Sequence, residues 1–187
     1  IIAATMPLNT IRAWLGLDKP DSPEVAPLRE TLDALEHLPP ERARYLAGFA
    51  YLLGRVAHAD QHVSRHETET MEALVMDQGG LTHEQAMLVV QLAKTSNLLF
   101  GGTANFLVAR EFSGAATYEQ KLALMRCLFA VSSTDTSIST SEEGEIHRIA
   151  SELRIGHPDL VALRVGHKEH LPGIASRPEA AKRTERS

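Results

Sequence analysis

Two pairs of carboxylate residues share one spacing in this chain of 187 residues. Glu67 follows Asp60 by seven positions, and Glu142 follows Asp135 by seven positions. Each member of the second pair lies 75 positions after its counterpart in the first. Carboxylate oxygens are preferred ligands of Ca²⁺, Mg²⁺ and Mn²⁺, and glutamate is also common in the first turn of a helix. The repeat therefore indicates either cation binding or a repeated helix start.

The offset of 75 also relates apolar residues on both sides of the acidic ones. Polar and apolar positions stay in one register over about 25 residues, which is typical of a duplicated structural unit. The sequence therefore predicts that a helix, a short acidic loop and a second helix occur twice. The further matching pairs are Phe49 and Leu124, Leu53 and Leu128, Val56 and Val131, Val63 and Ile138, Ser64 and Ser139, Met71 and Ile146, and Leu74 and Ile149.

The two glutamates have a structural explanation of their own. Each follows a serine by three residues, Ser64 before Glu67 and Ser139 before Glu142. This spacing is a capping box, in which the serine hydroxyl and the glutamate carboxylate each accept a hydrogen bond from a free backbone N–H of the first turn. The aspartates lie four residues before the serines, too far for that role, although short loops favour aspartate anyway. Capping thus accounts for the glutamates alone.

The duplicated unit resembles the TerB-like domains associated with tellurite resistance and stress responses. Their signature is an apolar helix followed by A-D-G, an apolar residue, a serine and, three residues later, a glutamate. The resemblance covers about residues 41–170. It implies an all-helical bundle with a divalent-metal site, of unspecified metal, built from the repeated carboxylates Asp60, Glu67, Asp135 and Glu142.

Both loops depart from that family pattern. Gln61 and Thr136 stand where glycine usually follows the aspartate, and Thr134 stands where alanine usually precedes it. Glycine adopts a positive φ at little cost, whereas other residues do not. A loop that needs this conformation for metal binding would therefore be strained here, above all in the second copy.

The four carboxylates favour a cation only if the two loops meet. Like charges held close together repel one another and raise their pKa values, and a divalent ion would remove that repulsion. If the loops lie apart, they are solvated acidic loops closed by glutamate caps. The first loop also carries three histidines that could bind Zn²⁺, but serines replace them in the second loop, which favours surface histidines: His58, His62 and His66.

The composition limits the remaining function classes. A net charge of −5 and an isoelectric point near 6.0 argue against a nucleic-acid binder, so we expect protein partners. No apolar run reaches the roughly 18 residues of a membrane span, and we expect a cytoplasmic protein. Cys127 lies in an apolar helical run and is predicted to be a buried structural thiol. No catalytic constellation is present, so we expect no enzyme.

Helical periodicity dominates the chain, and no strand-like alternation of useful length occurs. We predict an all-α bundle of about eight helices with the duplicated pair at its centre. We expect an N-terminal arm with a short helix at residues 1–26, the helical domain at residues 27–171, and a disordered tail at residues 172–187. The predicted core consists of Leu46, Phe49, Leu53, Met71, Leu74, Leu124, Leu128, Val131, Ile146 and Ile149.

Two functions follow from these patterns. The first is a metal-binding helical module that acts as a sensor or adaptor, as the resemblance implies. The second is a metal-free protein-interaction bundle whose acidic loops are degenerate, which the missing glycines favour. A metallohydrolase that uses the histidines of the first loop is the weakest hypothesis.

Overall fold

The computed structural model describes residues 34–35, 37–57, 65–96, 104–134 and 138–166, with only the backbone of residues 65–67, 95–96 and 104–107. These ranges contain seven α-helices and no β-strand, which confirms the all-α prediction. The predicted N-terminal arm and C-terminal tail lie outside them. The helices are α1 (Pro40–Ala57), α2 (Arg65–Gly79), α3 (His83–Ser96), α4 (Ala104–Ala115), α5 (Tyr118–Ser132), α6 (Thr140–Glu152) and α7 (His157–Gly166).

Local signals set the ends of these helices. Pro40 is the first residue of α1, where its missing N–H costs no helical hydrogen bond. α5 begins with a complete capping box, in which the Gln120 N–H donates to Thr117 Oγ1 over 3.2 Å and the Thr117 N–H donates to Gln120 Oε1 over 2.8 Å. α2 ends at Gly79, and Gly80 follows with φ +62°, a conformation that favours glycine.

Burial follows the predicted helix phase with one exception. Nine of the ten predicted core residues are buried. Leu74 is only partly buried, and its neighbour Val75 is fully buried in its place. In α6 the two equivalent positions, Ile149 and Ala150, are both buried. The prediction for Leu74 was wrong because its place was inferred from the register with Ile149, and α2 and α6 turn slightly different faces inward.

The packing of the helices is reciprocal between the two copies. We call α1 to α3 the first copy and α5 to α7 the second copy, since the offset of 75 relates them. α2 packs on α5, α6 packs on α1, and α1 also touches α5. The second helix of each copy therefore packs on the first helix of the other. This exchange is what an approximate two-fold axis between the copies produces, while their superposition stays a prediction.

The third helices complete the bundle. α3 lies along α1, and α7 lies against α5, so each third helix packs on the first helix of its own copy. α4 bridges the copies by packing on α1 and α6. In the part of the chain that the structure describes, no helix is both long and apolar enough to cross a membrane.

Candidate functional site

The four predicted metal ligands are described to different extents. Asp60 and Asp135 lie outside the described residues, as do His58 and His62. Glu67 and His66 lie in the first turn of α2, where only the backbone is described. Glu142 is described in full. Among the described residues, which do not include the two aspartates, no group of three or more His, Cys, Asp or Glu side chains could hold a metal ion.

Glu142 closes the start of α6 as predicted. The Ser139 N–H donates to Glu142 Oε2 over 2.8 Å, and the Glu142 N–H donates to Ser139 Oγ over 3.2 Å. The glutamate is 7 % exposed and therefore largely shielded from solvent. Only one of its two carboxylate oxygens, Oε2, takes part in the cap. The capping interpretation is confirmed, and it leaves Oε1 free of the capping hydrogen bonds.

The ends of the second acidic loop are held by local contacts. The Ser133 hydroxyl donates to the Ala130 carbonyl over 2.9 Å, and the Thr134 hydroxyl donates to the Val131 carbonyl over 2.7 Å. These bonds satisfy carbonyl groups that a helix C-terminus leaves without partners. Ile138 is buried at the far end of the loop. Thr134, which departs from the family pattern, thus closes α5, a role that alanine could not fill.

An ion cluster at the end of α1 was not anticipated from the sequence. Arg55 lies in the last turn of α1 and pairs with Glu145 over 2.6 Å and with Glu152 over 2.6 Å. Its side chain is 8 % exposed. Burial alone lowers the pKa of Arg55, but the hydrogen bonds and charges of the two glutamates outweigh burial and raise the pKa. The sequence shows a basic residue in the last turn of α1, but it does not show its partners, which lie 90 or more positions away.

This cluster has a consequence for the acidic loops. Glu145 lies in the second turn of α6, one helical turn after Glu142. The ion pair therefore holds the end of α1 beside the start of α6. Ala57, the last described residue before the first acidic loop, lies two residues beyond Arg55 on the helix end that the ion pair holds beside α6.

Cys127 is a structural residue. Its side chain is fully buried in α5, and burial is the main reason that its pKa is raised to about 12. The thiol Sγ lies 3.8 Å from the Leu74 carbonyl oxygen, to which it donates. A thiol with this pKa stays protonated near neutral pH and is a poor nucleophile. The structure confirms the predicted role.

Comparison with known proteins gives one match. A family model with the description "Tellurite resistance protein TerB" matches residues 46–165, more than half of the chain. The matched range extends from α1 into α7 and includes both acidic loops. No curated protein and no solved structure matches the chain.

Proposed function

The chain belongs to the TerB family of tellurite resistance proteins, and we propose that it is a non-enzymatic helical module that binds one divalent metal ion. The proposed ligands are the repeated carboxylates Asp60, Glu67, Asp135 and Glu142. A bound ion would link the two acidic loops through shared ligands and so change the surface offered to a protein partner. The module would act in this way as a sensor or adaptor in a stress response, in the cytoplasm.

The ion pair between Arg55 and Glu145 is the observation that carries this proposal. Four carboxylates can share an ion only if the two acidic loops approach each other. The pair fixes the end of α1 at the second turn of α6, and Glu142 lies three residues before Glu145, about 4.5 Å of rise along the helix. The reciprocal packing of α2 on α5 and of α6 on α1 supports the same approach from the other side.

The local geometry of Glu142 supports the proposal further. A carboxylate can close a helix with one oxygen and bind a cation with the other. The cap takes Oε2 of Glu142 only. Arg55 pairs with Glu145 and Glu152, and no described cation is paired with Glu142 that would compete with a metal ion for its charge.

The proposal predicts that divalent metal stabilises the fold. The full chain, stripped with a chelator and dialysed, would be melted in a calorimeter with Ca²⁺, Mg²⁺, Mn²⁺ or Zn²⁺ added singly. A ligand at a hundred times its dissociation constant adds about 2.7 kcal/mol to the free energy of unfolding. We expect the melting temperature to rise with at least one of these ions and elemental analysis to give one ion per chain.

The variant Glu142→Gln separates ligation from capping. Glutamine closes α5 by the same capping box at Gln120, so Glu142→Gln keeps the cap and removes the ligand charge. We expect a metal-free stability within about 1 kcal/mol of the wild type, since only the favourable charge near the helix N-terminus is lost, and a much weaker metal response. Glu84→Gln, an exposed first-turn change in α3, is the matched control and should respond as the wild type does.

The metal-free interaction bundle is the alternative function. It is favoured by two exposed valines one turn apart on α7, Val161 and Val165, which offer an apolar surface to a partner. If no divalent ion shifts the melting of the wild type and the purified chain holds none, the metal site is absent and this alternative replaces it.

A further inference from the structure

A basic pocket lies where α4 ends, α5 begins and α6 ends. It encloses about 580 Å³, within the range of small-molecule sites. Its basic side chains are Arg110 from α4, Lys121 from α5 and Arg154 from the turn after α6, and Ser113 and Ser151 add two hydroxyl groups. The three cations come from three separate elements, so only the tertiary fold brings them together.

The positive charge of the basic pocket is not balanced locally. Glu152 is the one carboxylate among the described residues that line it. Its two oxygens accept from Arg55 over 2.6 Å and 3.3 Å, and Arg55 also pairs with Glu145, so one arginine charge is shared between two carboxylates. Even with the full charge of Glu152 counted, the three cations exceed the carboxylates that line the pocket. Arg110 and Arg154 form no ion pair with any described carboxylate. A chain with a net charge of −5 therefore contains a pocket with an excess of positive charge.

Lys121 is held in position inside the basic pocket. Its Nζ donates to Ser113 Oγ over 3.0 Å, and Ser113 Oγ in turn donates to the Leu153 carbonyl over 3.5 Å. An ammonium group has three donors, so two remain for a ligand. Partial burial lowers the pKa of Lys121, and the charge of Arg154 lowers it further. A bound anion would relieve this repulsion.

Arg154 occupies a backbone conformation that favours glycine. Its φ is +58°, and it is the single described non-glycine residue with a positive φ. In the first copy Gly80, just after α2, also has a positive φ of +62°, one residue later than Gly79, the position that the offset of 75 pairs with Arg154. Strained residues concentrate at functional sites. A long cationic residue thus stands where the backbone favours glycine, and this residue helps to line the basic pocket.

We propose that the basic pocket binds a phosphoryl group, carried either by free phosphate or by a small phosphate ester. Arginine guanidinium groups match the oxygens of a phosphoryl group with paired N–H donors. Lys121 adds a compact charge, and the hydroxyl of Ser151 can add a hydrogen bond. This site is separate from the proposed metal ligands and does not depend on them.

Calorimetric titration of the full chain tests the proposal. Inorganic phosphate, adenosine 5′-monophosphate and adenosine would be added in turn at low salt, because screening weakens such contacts. We expect both phosphate compounds to bind and adenosine not to bind. Tighter binding of the monophosphate than of phosphate would assign the site to an ester, and equal binding would assign it to free phosphate. No heat of binding from either phosphate compound would overturn the proposal.

Three variants locate the binding. Lys121→Gln and Arg154→Gly each remove one charge from the basic pocket, and each should weaken phosphate binding at least about tenfold. Arg154→Gly suits the local backbone, so a folding failure cannot explain its effect. Arg126→Gln removes one charge from α5 outside the pocket and should leave the affinity unchanged. An equal loss in all three variants would mean unspecific attraction and would reject the site.

Discussion

The two copies of the duplicated unit differ most in their third helices. Val90 of α3 and Val165 of α7 are equivalent by the offset of 75, yet Val90 is 0 % exposed and Val165 is 57 % exposed. α3 buries Ala86, Val89, Val90 and Ala93 completely, whereas α7 has no buried residue. α3 packs on both α1 and α2, while the main packing partner of α7 is α5. Equivalent sequence positions therefore differ in burial because different helices pack around them.

The same comparison shows what the duplication retained. Thr68 in α2 and Glu143 in α6 are equivalent positions, and each contacts a basic residue of its own third helix. Lys94 Nζ donates to Thr68 Oγ1 over 2.9 Å, and Arg164 pairs with Glu143 over 2.5 Å. A side-chain contact between the second and third helices is thus present in both copies, as a hydrogen bond in the first copy and as an ion pair in the second. Core positions of the first two helices changed less, because each packs on the other copy.

The largest expected effect tests the equivalence of the two cores. Leu53 and Leu128 are equivalent and fully buried. Leu53→Ala and Leu128→Ala should each lower the free energy of unfolding by about 2–5 kcal/mol, since a cavity replaces packed side-chain atoms. Urea denaturation followed by circular dichroism measures both. A neutral result for one of them would show that the two first helices are not equivalent in the core.

The second prediction concerns a contact that only the first copy has. Arg55 corresponds to Ala130 in the second copy, so the ion cluster on α6 has no counterpart on α2. Arg55→Met should cost about 1–3 kcal/mol, because Glu145 and Glu152 lose hydrogen bonds from a charged donor at a mostly buried site. Thermal unfolding at fixed pH and salt measures the loss.

Arg148→Met is the matched control for that change. Arg148 pairs with the same Glu145, over 3.0 Å, but its side chain is 70 % exposed. Exposed pairs contribute about 0–1 kcal/mol, so this variant should melt near the wild type. If both variants lowered the melting temperature equally, burial of the Arg55 ion pairs would add nothing to the stability of the fold.

The smallest expected effect compares the ends of the two second helices. Gly80→Ala should cost about 1–2 kcal/mol, the penalty of a left-handed conformation for a residue with a Cβ, since nothing lies within 4 Å of the added atom. Arg154→Gly should leave the free energy of unfolding unchanged or raise it by up to about 1 kcal/mol. Glycine removes the left-handed penalty from the folded state, but it also makes the unfolded chain more flexible, which partly offsets the gain.

Calorimetric melting of the two single variants measures this difference. A loss of more than about 1 kcal/mol in Arg154→Gly would show that the arginine side chain stabilises the fold. Its role in the basic pocket would then no longer explain its presence at this position.

The sequence alone determined the local features of this protein. The capping boxes at Thr117 and Ser139, the stop at Gly79 and the start at Pro40 depend on residues within one helical turn, so their physics is contained in a short stretch of chain. The offset of 75 and the 3.6-residue periodicity determined the helical class and most of the core. The TerB family was identified from the same repeated residues, and its family model matches the chain.

Only the tertiary structure decided which surfaces meet. Val75 is fully buried and Leu74 only partly, whereas the equivalent Ala150 and Ile149 are both buried, a difference that depends on which helices pack around α2 and α6. Arg55 reaches Glu145 and Glu152 across 90 or more positions. Arg110, Lys121 and Arg154 line one pocket because three helix ends meet there. Helical periodicity predicts that one side of a helix faces inward. Which other helix packs against that side depends on the packing free energy between residues that are far apart in the sequence.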